Sequence, residues 1–124
     1  MNFFAQSPEI QRALGHLKQL KQDLAERPYI EGDRIPNKNF DLVAKLLKSI
    51  GTALPLIGEP TISPGPVLEL FVDWVPPKPE IHVVVAEGKI HGYAYTSAGD
   101  IYADNLAEVT NLVLNAAGVV KERL

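Results

Sequence analysis

Two histidines on neighbouring predicted strands are the side chains of this sequence whose type and spacing could do chemistry. His82 and His91 stand on either side of Glu87-Gly88, a pair of residues that favours a two-residue hairpin turn. In such a hairpin the two histidines lie diagonally across the strand pair, with their backbones about 7 Å apart. Two imidazoles at that spacing could hold a metal ion or transfer protons. A small metal-dependent or acid–base enzyme is therefore one hypothesis.

The rest of the sequence does not complete such an active site. A metal ion needs a third and usually a fourth ligand, and the nearby acids Glu69, Asp73 and Glu80 follow no metal-binding spacing. The sequence contains no cysteine, nucleophile elbow, phosphate-binding glycine loop or His-Glu-x-x-His motif. We therefore predict no catalytic residue and no cofactor. In the alternative of a metal-dependent enzyme, His82 and His91 would be the metal ligands.

The strands around the histidines also predict an aromatic surface. Alternation over 67–75, 80–86 and 89–96 assigns Leu68, Leu70, Val72 and Trp74 to the core face of the first strand. The opposite face of the three strands then collects Phe71, His82, Val84, His91, Tyr93 and Tyr95. This face is too apolar to contact only water. It predicts either a binding surface for another protein or a second copy of this chain, or burial beneath the C-terminal helix, which would be purely structural.

Nucleic acid is a less suitable occupant of this face. Tyrosines on a sheet resemble the platform on which single-stranded RNA stacks its bases. However, the net charge is −3 and lysine and arginine form no run, whereas nucleic-acid binding surfaces are basic. Single-stranded nucleic-acid binding remains a third hypothesis.

Two helices precede the sheet. Ser7-Pro8-Glu9 starts the first, over about 8–26, with a hydroxyl cap followed by proline and an acid. Asn37 or Asn39 is the predicted cap of the second, over about 40–50, and Gly51 ends it. Each helix has one apolar stripe, which must pack against another element.

The remaining elements follow from turns and caps. The proline-rich segment 52–66 is predicted to be an extended connector, and a short strand is possible over 100–103. Asp104 or Asn105 caps a last helix over about 105–118, with Glu108 at the reciprocal capping position. With a two-residue turn, Val83 opposes Gly92, and this glycine leaves room for a helix to approach.

Together these elements predict one α+β domain over residues 1–124: two N-terminal helices, an antiparallel sheet of three to four strands and a C-terminal helix. No segment reaches the roughly 18 consecutive apolar residues of a membrane span. The N-terminus lacks a basic region followed by an apolar run. We therefore expect a cytoplasmic protein without a membrane partner.

Part of the chain resembles a known family. Between about Leu24 and Tyr95 the order is helix, loop, helix, connector and strand, with the motifs Tyr29, Gly32, Ile35-Pro36, Pro60-Thr61-Ile62-Ser63-Pro64 and the strand end Trp74. This order resembles a family of small uncharacterised bacterial proteins, which tend to have Trp-Asp-Gly where this chain has Arg27 to Gly32. The resemblance implies an accessory bacterial protein from a phage or mobile element.

The hypothesis that combines these observations is a non-catalytic, antitoxin-like or inhibitor-like protein. It would bind another protein, or itself as a homodimer, through the aromatic face of its sheet.

Overall fold

The computed structural model describes residues 8–26, 35–51, 54–65, 68–75, 80–96 and 99–116. The helices are α1 (Pro8–Glu26), α2 (Asn37–Ser49), the single-turn α3 (Leu54–Ile57) and α4 (Leu106–Ala116). The strands are β1 (Thr61–Pro64), β2 (Leu70–Trp74), β3 (Glu80–Ala86), β4 (Lys89–Thr96) and β5 (Gly99–Ala103). The predicted cap Ser7, the loop motif around Tyr29, and Val67 and Gly118 lie outside the described residues.

The strands form one antiparallel sheet in the order β1-β2-β3-β4-β5. This confirms the predicted α+β class, with N-terminal helices and a C-terminal helix, and adds one strand to the expected sheet. The additional strand is β1, at the edge beside β2. It falls in the segment predicted to be an extended connector, where proline is tolerated because an edge strand leaves half its backbone donors unpaired.

The turn between β3 and β4 fixes the register of the sheet centre. Glu87 and Gly88 have φ of 53° and 75°, and two left-handed residues in succession are typical of a type I′ hairpin. Val83 is accordingly opposite Gly92, and Ile81 is opposite Ala94. The predicted two-residue turn and its register are confirmed.

The long helices pack against one face of the sheet, which we call the inner face. Its strand residues are almost fully buried: Leu70, Val72, Trp74, Ile81, Val83, Val85, Ile90, Ala94 and Ala103. Helix α4 approaches this face at Gly92, where an added Cβ would lie 3.3 Å from Cγ2 of Val109. Helix α4 also packs beside α2. The described part of the C-terminal helix therefore lies on the inner side and does not cover the other face.

The prediction that Asn37 or Asn39 caps α2 is wrong. The residue before the helix is Pro36, and it makes no side-chain capping hydrogen bond. Asn37 is exposed, and Asn39 is fully buried. The Asn39 amide donates to the carbonyl of Leu68 at 3.3 Å, and its Oδ1 accepts from the N–H of Gly88 at 2.9 Å. Asn39 therefore ties the helix to the sheet, because its partners lie on other elements.

The predicted position of Leu68 on the core face is also wrong. The alternation assigned Leu68 to the core face, but its φ is 59° and it is 39 % exposed. A left-handed residue breaks the extended backbone, so regular strand geometry begins only at Leu70.

The start of α4 agrees with its predicted capping box. Oδ1 of Asn105 accepts from the N–H of Glu108 at 2.9 Å. The Glu108 carboxylate in turn accepts from the N–H of Asp104 at 3.1 Å, one residue before the expected donor. Both side chains thus satisfy backbone N–H groups that the helix leaves unpaired.

Candidate partner-binding face

The second face of the sheet, which we call the outer face, holds all six predicted binding residues. Cross-strand pairing arranges this face in three rows. One row is Phe71, Val84, His91; the next is Asp73, His82, Tyr93, Tyr102; and the third is Glu80, Tyr95, Asp100. No helix of the described residues covers these rows, because α1, α2 and α4 pack toward the inner face.

Four aromatic rings form a continuous cluster across β3, β4 and β5. The ring centroids of His82 and Tyr93 are 5.1 Å apart, and those of Tyr93 and Tyr95 are 5.5 Å apart. Tyr102 extends the cluster with its ring 6.1 Å from that of Tyr93. Tyr95 and Tyr102 remain 45 % and 71 % exposed. Contacts of this kind stabilise the sheet surface while leaving ring faces and edges open to a partner.

His82 lies between two carboxylates. Its Nδ1 is 2.9 Å from Oδ1 of Asp73, and its Nε2 is 3.0 Å from Oε2 of Glu80. Asp73 is directly opposite His82 on β2, and Glu80 lies two residues earlier on the same face of β3. Because ionised carboxylates only accept hydrogen bonds, both ring nitrogens must carry protons to make both bonds. The arrangement therefore fits the imidazolium form.

The surroundings of His82 shift its pKa in opposite directions. Partial burial of the ring is the largest single influence and lowers the pKa. The hydrogen bonds to Glu80 and Asp73, together with the charges of these carboxylates, outweigh that effect. The net pKa of His82 is therefore raised above the ordinary value for histidine.

This geometry bears on the enzymatic alternative. A general base needs a ring nitrogen that can reach a substrate proton, but both nitrogens of His82 face carboxylates of the protein itself. His91 is directed to another partner, with its Nδ1 3.2 Å from Oδ1 of Asp104. Within the described ranges, no group of three or more histidine, aspartate or glutamate side chains is arranged to hold a metal ion. The two histidines thus contact separate carboxylates and do not converge on one site.

The stability of the protein should depend on pH through His82. Because the folded-state pKa lies above the unfolded value, the stabilisation is fully present below about pH 6.5 and is lost as the pH rises through the folded-state pKa. We expect the stability difference between the wild type and His82→Gln, measured by urea unfolding, to be largest below about pH 6.5 and to shrink as the pH rises above it. A difference that is constant or grows with pH would contradict the imidazolium assignment.

The row that contains Phe71 is the apolar end of the outer face. Phe71 and Val84 are directly opposite each other and half-buried. The ring of Phe71 lies against Gly65, where an added Cβ would be only 2.8 Å from Cζ of the ring. The N–H of Gly65 also donates to the carbonyl of Glu69 at 2.8 Å. The absence of a side chain at Gly65 therefore lets Phe71 cover the end of β1.

The opposite end of the face is acidic and aromatic. We call it the acidic–aromatic patch, and it consists of Asp73, Glu80, His82, Tyr93, Tyr95, Asp100 and Tyr102. Tyr95 is flanked by Glu80 on one neighbouring strand and Asp100 on the other. Partial loss of hydration raises the pKa of the Tyr95 hydroxyl, and Tyr93 and the two flanking carboxylates raise it further. The Tyr95 hydroxyl is therefore neutral at pH 7 within a negatively charged surrounding.

Sequence reasoning missed the part of this patch that lies on β5. Asp100 and Tyr102 stand two residues apart in a segment predicted only as a possible short strand. The available signal was the same alternation that assigned the other strands: a continued hairpin places both residues on the face of Tyr93 and Tyr95. The structure pairs them directly, Tyr95 with Asp100 and Tyr93 with Tyr102.

Comparison with known proteins adds no family to this description. No protein-family model matches the chain, and neither the curated proteins nor the solved structures contain a match. None of the helices in the described part of the chain is long and apolar enough to cross a membrane.

Proposed function

We propose that this chain is a non-catalytic protein-binding module that contacts its partner through the outer face of the sheet. The observation that supports this proposal is a continuous set of aromatic rings on a sheet face that no described helix covers. Tyrosines are enriched at protein interfaces, because a large apolar ring and a polar hydroxyl suit a surface that is wet before binding and buried afterwards.

The division of the face into two ends supports the same proposal. Phe71 and Val84 offer apolar area, and the acidic–aromatic patch beside them offers hydrogen-bonding and charged groups. Protein interfaces usually combine apolar area of this kind with hydrogen-bonding and charged groups. The contacts of His82 with Asp73 and Glu80 hold its ring in position on this face, which lowers the entropy lost on binding. This role accounts for His82 without assigning it catalysis.

Site-specific photo-crosslinking in the cells that naturally make the protein tests the proposal. A photoreactive p-benzoylphenylalanine replaces Tyr102, which is 71 % exposed on the outer face. In a control variant the same group replaces Lys45, which is exposed on α2 on the helical side. We expect a discrete cross-linked protein species from position 102 and none from position 45, because the partner should contact only the outer face.

Two results would contradict the proposal. One is equal cross-linking from the two positions, which would show that the outer face is not distinguished from the helical side. The other is the absence of any cross-linked species from position 102, as expected of a face that contacts only solvent.

A further inference from the structure

The charges of the acidic–aromatic patch indicate what a partner must present to it. The patch has three carboxylates, on Asp73, Glu80 and Asp100, and none of its seven residues is a lysine or an arginine. In its protonated form, which the two carboxylate contacts favour, His82 offsets part of this charge. A partner that covered the patch with apolar or acidic groups would remove carboxylates from water without compensation, which is unfavourable. A cationic partner group removes this cost.

His82 shows how the patch accommodates a cation. Its planar imidazolium lies against the ring of Tyr93, at 5.1 Å between centroids and an interplanar angle of 33°. The edges of the imidazolium donate to carboxylates at 2.9 and 3.0 Å. A flat cation on a tyrosine ring, with carboxylates at its edge, is therefore already part of this surface.

A tyrosine ring with carboxylates beside it also occurs at Tyr95, where the ring is exposed. Tyr95 is opposite Glu80 on β3 and opposite Asp100 on β5. The backbones of neighbouring strands are about 5 Å apart, so both acidic residues are direct neighbours of Tyr95 on this face. The Tyr95 side chain is 45 % exposed, and the neighbouring Tyr102 is 71 % exposed. A planar cation resting on these rings would have a carboxylate within reach on either side.

We propose that the acidic–aromatic patch binds the guanidinium groups of an arginine-bearing segment of the partner protein. This inference rests on the proposed function and names the chemistry of the partner. Guanidinium fits better than ammonium, because it is flat, stacks on aromatic rings and donates two parallel hydrogen bonds to one carboxylate. Lysine offers a compact, strongly hydrated charge that matches the carboxylates but not the rings.

The test uses a labelled peptide of five arginines separated by glycines and measures binding by fluorescence anisotropy near physiological ionic strength. A second peptide has citrulline at every arginine position, which keeps the shape and removes the charge. A third peptide has lysine there. We expect the arginine peptide to bind about tenfold more tightly than the citrulline peptide and severalfold more tightly than the lysine peptide.

Variants locate the binding on the patch. Asp100→Asn and Tyr95→Leu should each weaken binding of the arginine peptide by about threefold or more. Asp41→Asn is the matched control, because it removes the same charge from an exposed position on α2, on the helical side. At this ionic strength charges more than about 8 Å apart are largely screened, so the control should bind as the wild type does. Unchanged thermal midpoints would show that all three variants remain folded.

Several outcomes would overturn the inference. Equal binding of the arginine and citrulline peptides would remove the role of charge, and equal binding of the lysine peptide would remove the role of the planar group. A loss with Asp41→Asn as large as that with Asp100→Asn would mean that binding follows net charge alone. Self-association of the wild type that is lost in Asp100→Asn, detected by light scattering, would make a second copy the occupant. In each case cross-linking from position 102 would still report whether the outer face contacts a protein, so the two proposals fail separately.

Discussion

Trp74→Ala is expected to cost about 3–5 kcal/mol of the free energy of unfolding, the range measured for removal of a large buried aromatic ring. Trp74 is 1 % exposed on the inner face of β2. Its indole N–H also donates to the carbonyl of Gly58 at 2.8 Å. Gly58 follows α3, has φ of 79°, and donates its own N–H to the carbonyl of Leu54. The substitution thus leaves a cavity and also releases the segment that connects α3 to β1.

The comparison of Trp74→Ala with Trp74→Phe separates these two effects. Phenylalanine retains most of the apolar contact and lacks the N–H group, so the Gly58 carbonyl loses its partner at an expected cost of about 1–3 kcal/mol. Trp74 is the single tryptophan of the chain, so urea unfolding of both variants must be followed by circular dichroism rather than fluorescence. A loss below about 1 kcal/mol for Trp74→Ala would mean that the site is not a packed core.

The sequence was most informative where a local pattern has only one three-dimensional solution. Glu87-Gly88 between two alternating segments specifies a hairpin, and the side-chain period of two then determines the face of every residue on both strands. The sequence alone therefore predicts that His82, Tyr93 and Tyr95 share one face. Their partner strand β5 was underestimated because it is short and lies at the edge of the sheet.

Which face the last helix covers depends on packing between elements that are distant in the chain. The apolar stripe of α4 is compatible with burial against either face of the sheet. The structural basis of the choice is a small residue: a Cβ added at Gly92 on the inner face would lie 3.3 Å from Cγ2 of Val109, so the missing side chain lets α4 approach closely. The outer face at the same strands has the rings of Tyr93 and Tyr95, which would hold a helix farther from the backbone. A small residue on one face was thus the signal that favoured the inner side.

Asn39 shows why the other errors could not be avoided. An asparagine at the start of a helix is a standard cap, and the alternative partners of Asn39, Leu68 and Gly88, are 29 and 49 residues away. No local pattern encodes contacts over such distances. The left-handed conformation of Leu68 belongs to the same arrangement, since the Leu68 carbonyl accepts from the Asn39 amide.

We expect Asn39→Ala to destabilise the protein by about 2–4 kcal/mol, because two backbone groups lose the hydrogen-bond partner that this buried side chain provides. Asn37→Ala is the matched control: it removes the same amide group two residues earlier, at an exposed site, and should cost no more than about 0.5 kcal/mol. Urea unfolding monitored by the fluorescence of Trp74 measures both. Equal stability of the two variants would contradict the bridging role and return Asn39 to an ordinary helix position.

Amide hydrogen exchange at Gly88 tests the bridging role of Asn39 locally. The N–H of Gly88 donates to Oδ1 of Asn39, so in Asn39→Ala its exchange should accelerate by more than the global loss of stability explains. In Asn37→Ala it should exchange as in the wild type. Since the turn at Glu87-Gly88 sets the register of β3 against β4, and that register places His82 beside Tyr93, release of Gly88 should also loosen the aromatic cluster. The buried amide of one helix thereby supports the outer face on the opposite side of the sheet.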